Sequence, residues 1–157
     1  MAEGLTHLTT FIEGVLVHGQ EDPRILLVPC PHAPHRGLLM PPQAPWAPGF
    51  LPYTLLQALI RDGFKIPFRV IDPTKLPVVF DERTSRMPTP WCLRLENLEG
   101  QQRLFLTHLL RATAPETEPP TPPMGGRWVN EAEMEPLDLI PGVKRLCQAA
   151  LWAVKES

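Results

Sequence analysis

The chain has 157 residues, 15 Lys and Arg against 17 Asp and Glu for a net charge of -2, 43% hydrophobic residues, 21 Pro and three Cys. That length bounds the fold to one domain of moderate size, able to bury roughly 68–70% of its unfolded surface without disulfides or metal. The near-neutral charge excludes general coating of nucleic acid, and no apolar run approaches a membrane span, so a cytoplasmic protein with no membrane partner is expected.

In chain order, Leu8 to His18 (LTTFIEGVLVH) and Arg24 to Val28 (RILLV) are rich in β-branched and aliphatic residues and flank a turn at Gly19 to Pro23. They predict a pair of strands. Eight prolines between Pro29 and Pro52 inclusive remove too many backbone donors for a central strand or helix. A long loop is expected there, with at most one short strand at residues 38 to 40. Pro52 suits a first helical position, Leu55, Leu56, Leu59 and Ile60 share a face, and Gly63 suits a terminating turn, which predicts a helix over 52–62.

Residues 67–72 (PFRVID) and 77–80 (PVVF) read as short strands, and 90–98 with 102–112 as a hairpin around Glu99-Gly100-Gln101. Thr113 to Gly126 contains five prolines and two glycines, the composition of a stiff, exposed connection within the single domain 1–157. Arg127 to Val129 reads as one more strand. Asn130 followed by Glu133 carries the spacing of a reciprocal helix cap, and Pro141 to Lys155 carries an apolar face of Val143, Leu146, Cys147, Ala150, Leu151 and Val154, predicting an amphipathic helix. Cys92 and Cys147 lie in apolar surroundings and read as buried thiols.

Several of these segments carry a family resemblance. The opening LTTFIEGVLVHGQEDPRILLV, the Leu39-Met40-Pro41-Pro42 run, and the closing GGRWVNEAEMEPLDLIPGVKRLCQAAL together resemble the Nudix hydrolases, which cleave nucleoside diphosphates linked to another moiety. The resemblance implies an α/β/α sandwich with a mixed β-sheet. It also implies a Nudix box, G-x5-E-x7-R-E-U-x-E-E-x-G-U, whose carboxylates hold Mg²⁺. In this chain the box is degenerate. With Gly63-Phe64 as its closing pair, its Arg-Glu falls on Leu56-Gln57 and its Glu-Glu on Ile60-Arg61, and residues 23–61 contain no Asp or Glu. With 17 acids in 157 residues, a window of 39 would be this empty about once in a hundred. Mg²⁺ requires several oxygen ligands, and Asp62 alone adjoins the helix.

The expected function is therefore a pseudoenzyme. It has no catalytic residues in the box and no cofactor, and it retains binding of a nucleotide, another phosphorylated small molecule or a partner. Arg36 and Arg61 would pair phosphate, Trp46 would stack on a base, and Gln57 would line the pocket. For Arg61 and Trp46 the plainer alternatives are a solvated helix residue and a cap over the core. The competing expectation is an active Mg²⁺-dependent hydrolase with ligands outside the box, for which Glu82 and Glu133 are the catalytic candidates. A third is a zinc site at Cys30, His32 and His35, one ligand short of a structural tetrad. Nudix proteins also often dimerise, which makes a homodimer part of what the resemblance implies.

Overall fold

The computed structural model describes residues 8–47, 49–71, 79–80, 86–87, 90–98 and 100–156. Strand β1 (Leu8–His18) and strand β2 (Arg24–Pro29) pair antiparallel, Val17 opposite Ile25. Short strands β3 (Leu39–Met40) and β4 (Gln43–Pro45) then fold back on β2 and β1. The proline-rich stretch thus holds two strands where one was expected. Pro45 is tolerated because it sits at the strand's end.

Next comes helix α1, α-helical over Pro52–Leu56 and widening to a π-helix over Gln57–Gly63. The chain continues through β5 (Phe68–Val70), the pair β6 (Val79–Phe80) and β7 (Arg86–Met87), and the hairpin β8 (Cys92–Leu98) and β9 (Gln101–Ala112). It closes with β10 (Arg127–Val129), α2 (Glu131–Met134) and α3 (Val143–Glu156). Of the strands expected at 67–72 and 77–80, residues 72–78 lie outside the described residues.

The main sheet runs β10-β2-β1-β9-β5, with β3 on β2, β4 on β1 and β8 on β9. It is mixed. β1 and β9 run parallel over ten paired positions, from Leu8 opposite Gln102 to Val17 opposite Arg111, and the other strand pairs named here are antiparallel. A parallel pair at the centre needs both faces covered. Leu16, Leu110 and Ile12 are fully or nearly fully buried on the face carrying α1, and Val143, Cys147, Ala150 and Leu151 of α3 close the other. Among the described residues no helix is long and apolar enough to cross a membrane.

The close seat of α1 depends on Gly14. A Cβ there would lie 2.8 Å from Leu110 Cδ1, 3.2 Å from Ile60 Cδ1 and 3.3 Å from Leu56 Cδ2. All three side chains are fully buried, so none can swing out to solvent. Gly14→Ala should therefore lose about 1–3 kcal/mol of stability through overpacking, read as a lowered denaturation midpoint.

The connection over 113–126 is anchored rather than free. Trp128 Nε1 donates to Pro120 O at 2.8 Å, His18 Nε2 lies 3.0 Å from Pro115 O, and Glu116 accepts from Gln20 N at 2.8 Å. The cap at Asn130 forms as the spacing predicts. Its side chain accepts from Glu133 N at 2.9 Å, and Glu133 Oε1 accepts from Asn130 N at 3.0 Å.

Candidate functional site

Helix α1 is the element on which the expected chemistry depends. Its inner face is apolar, with Leu56 and Ile60 at 0% exposure against Gly14. Arg61 points outward, donates from Nη2 to Phe68 O at 3.3 Å and stands 5.3 Å over the Phe68 ring. The π-helical turn is closed by Phe64 N donating to Leu59 O, five residues back, and by Ile66 N reaching Ile60 O. Widening the turn delays termination, so the left-handed residue is Lys65 at φ 62° and not Gly63. π-helical turns are uncommon and concentrate where backbone geometry is being adjusted.

A polar cluster lies on the opposite face of the sheet. Glu13 of β1 is 0% exposed. Its Oε2 accepts from Arg94 Nη2 at 2.7 Å and from Gln43 Nε2 at 2.7 Å, while Oε1 accepts from Thr107 Oγ1 at 2.8 Å and from Arg94 Nε at 3.3 Å. Three strands supply these donors to one carboxylate because Glu13 pairs in register with Gln43 of β4 and Thr107 of β9. Arg94 also lies 3.9 Å over the Phe105 ring. Around it, Glu96 reaches Arg103 at 3.5 Å and His35 at 3.9 Å. A buried carboxylate is tolerable only when charge and hydrogen bonds are met together, and both oxygens of Glu13 are met.

Two thiols lie near this cluster, and burial dominates both. Burial pushes the Cys147 thiol up to about 12, with the Glu13 charge adding to the shift and Arg94 opposing it. Cys92 is also raised, chiefly by burial. The thiolate, not the thiol, is the nucleophile. Cys147 should thus stay unlabelled by iodoacetamide at pH 8 in the folded protein and react once denaturant unfolds it, a difference readable by mass spectrometry. A folded-state pKa above the unfolded value leaves stability intact below about pH 9 and erodes it as pH rises from there towards 12.

Between the end of β2, the β3-β4 turn and the far half of α1 lies an apolar cavity of about 240 Å³. Val28, Met40, Pro42, Leu59, Phe64 and Pro123 are among its walls, and Gln43 is the one polar residue among them. Arg36, Trp46, Gln57 and Arg61 do not line it. Arg36 is exposed in the β2-β3 turn. Trp46 is 45% exposed, its backbone N donates to Thr10 O and its indole Nε1 to Phe50 O at 3.0 Å.

No family model matches the sequence, and no curated protein is similar to it in sequence. Solved structures do match in shape. A NUDIX-family hydrolase from Clostridium perfringens superposes with a TM-score of 0.67 at 12% identity, covering 92% of this chain and 97% of its own. The Ap4A hydrolase of C. elegans gives 0.60 at 13% identity, covering 94% and 98%. The fold is that of the Nudix hydrolases. The NUDIX domain of Shewanella oneidensis NrtR, solved in complex with ADP ribose, gives 0.55 at 14% identity, covering 98% and 93%.

On this Nudix fold, the positions that the sequence pattern assigns to the box acids divide in two. With Gly63-Phe64 as the closing pair, Ile60 is core, as is Leu56 at the box arginine, while Gln57 is half-buried and Arg61 exposed. The donor set at the helix is therefore one amide, one guanidinium and a single carboxylate, Asp62. It does not fit Mg²⁺, which takes anionic and carbonyl oxygens, and a guanidinium repels the ion outright. Among the described residues no three of His, Cys, Asp and Glu gather where they could hold a metal. That includes Cys30, His32 and His35: the Cys30 thiol donates to His32 O at 3.4 Å, and His35 turns to Glu96.

Of the alternative catalytic candidates, Glu82 lies outside the described residues. Glu133 Oε1 is engaged, accepting from Arg24 Nη1 at 2.8 Å as well as from Asn130 N. The Glu13 cluster was not anticipated from sequence. Its signal is a carboxylate at an inward position of LTTFIEGVLVH, flanked at two-residue spacing by Phe11 and Val15.

Proposed function

We propose that this chain is a Nudix-fold binding protein without Mg²⁺-dependent pyrophosphohydrolase chemistry. The observation that carries the reading is the absence of acids: residues 23–61 hold no Asp or Glu, so whatever the register of the box, Asp62 is the one carboxylate of helix α1. One carboxylate cannot replace the several that Mg²⁺ takes, and Leu56 and Ile60 turn the inner face of the helix to the core. What remains is ligand or partner binding.

Support for a nucleotide-type ligand comes from the Shewanella oneidensis neighbour, which holds ADP ribose. The apolar walls of the cavity suit an uncharged moiety such as a base. Phosphates would stay outside it, with Arg36 or Arg61 as cations that can pair with them. The direct test is incubation with ADP ribose and dinucleoside polyphosphates in the presence of Mg²⁺. Release of mononucleotide or phosphate should run no faster than without protein and be unchanged by EDTA. Turnover abolished by EDTA would overturn the reading. Turnover lost on Glu82→Gln or Glu133→Gln would then move the assignment to an active hydrolase with ligands outside the box. Titration of ADP ribose without Mg²⁺, followed by tryptophan fluorescence, separately reports the retained ligand.

A further inference from the structure

We infer that the outer edge of β8 is a self-complementary interface through which two copies of this chain pair. β8 lies against β9 on one side only, and among the described residues nothing pairs with its other side. Two of its side chains are large, apolar and open, Leu93 at 65% and Leu95 at 61% exposure. A seven-residue edge with exposed leucines is a template for another strand unless something covers it.

The β8-β9 register decides which backbone groups that edge offers. Leu98 opposite Gln101 closes a two-residue hairpin loop, and the closing pair of such a loop exchanges both hydrogen bonds. Alternation then turns the N–H and C=O of Cys92, Arg94, Glu96 and Leu98 towards β9. Those of Leu93, Leu95 and Asn97 turn outward. A second β8 running antiparallel satisfies all three residues when the two-fold axis passes at Leu95, with Leu93 opposite Asn97 of the other copy and Leu95 opposite itself.

Charge selects the same axis. Centred on Leu95, each Arg94 stands opposite the other copy's Glu96. Centred on Arg94 or on Glu96, like charges would stand opposite each other, and centring between residues would mismatch the backbone donors and the faces. Within one chain Arg94 Nη1 is 4.0 Å from Glu96 Oε2, beyond hydrogen-bond reach. That nitrogen is still available to a second carboxylate, while Nε and Nη2 hold Glu13. The same patch that presents Leu95 to its copy thus presents the complementary charges, as an isologous interface requires.

The test uses the whole protein. Sedimentation velocity should show a concentration-dependent dimer, weakened at least about tenfold by Leu95→Glu, which sets two carboxylates directly opposite each other. Far-UV circular dichroism keeps the comparison to folded protein. Register is read by cross-linking. Leu95→Cys places two thiols on directly paired residues, where Cα atoms about 5.5 Å apart permit a disulfide, and mild oxidation should convert it to covalent dimer. Leu93→Cys, equally exposed, sits four residues out of register and should cross-link no faster than the wild type with its own three cysteines. A monomer at all concentrations, a dimer indifferent to Leu95→Glu, or Leu93→Cys linking as readily as Leu95→Cys would each overturn the interface. None of these outcomes bears on hydrolysis, so failure here and failure of the functional reading are separable.

Discussion

Replacing Arg94 with alanine should lower the unfolding free energy by about 3–5 kcal/mol, among the largest effects any single substitution in this chain can have. The cost comes from what is left behind: Glu13, at 0% exposure, would be left with Gln43 and Thr107 as its remaining partners. Removing one member of a buried pair strands the other. Replacing both with apolar residues, as in Glu13→Leu with Arg94→Met, removes the stranded charge and should recover most of the loss. Urea unfolding followed by tryptophan fluorescence measures both. A loss under about 1 kcal/mol for Arg94→Ala would mean that the pair is solvated and does not order the three strands.

The second large effect is at Ile60. Ile60→Glu, which places an acid where the Gly63-Phe64 register of the family pattern has one, should cost about 4 kcal/mol or more, since the new carboxylate enters a packed core. Gln57→Glu and Arg61→Glu, on the outer side of the same helix, should stay within about 0.5 kcal/mol of the parent. The contrast separates two histories. If the helix had merely lost its acids on an otherwise intact metal cradle, returning Glu at 60 would be tolerated. If the helix has been repacked onto the sheet, Ile60→Glu unfolds the protein while the outer changes do not. Thermal melts of the three variants distinguish these outcomes.

Much of the fold was legible in the sequence because its signals are local. The β-branched alternation of Leu8 to His18, the Asn130–Glu133 cap spacing and the apolar stripe of the last helix each report a structure fixed by neighbouring residues, and each appears where expected. What was missed depends on partners far apart in the chain. β4 forms because Gln43, Ala44 and Pro45 find an edge of β1 about thirty residues away. The π-helical turn and the left-handed Lys65 depend on how α1 seats over Gly14, which no helical periodicity encodes.

The site follows the same division. The missing acids of residues 23–61 can be counted in the sequence, yet the count cannot say whether Ile60 faces the core or a ligand. The Glu13 cluster draws on residues 30, 81 and 94 positions away, and its only local trace is one acid out of pattern in a hydrophobic strand. Arg36, Trp46, Gln57 and Arg61 stand out by residue type, and type does not reveal that the cavity is walled by Met40, Leu59 and Phe64.

If α1 takes up no divalent cation, Mn²⁺ electron paramagnetic resonance will show it, because only the free aqueous ion gives the sharp six-line signal. With protein in excess, a signal as strong as in buffer alone is expected. A signal that falls on adding protein, saturates at one ion per chain and returns in Gln57→Lys would place a metal at this helix and contradict it.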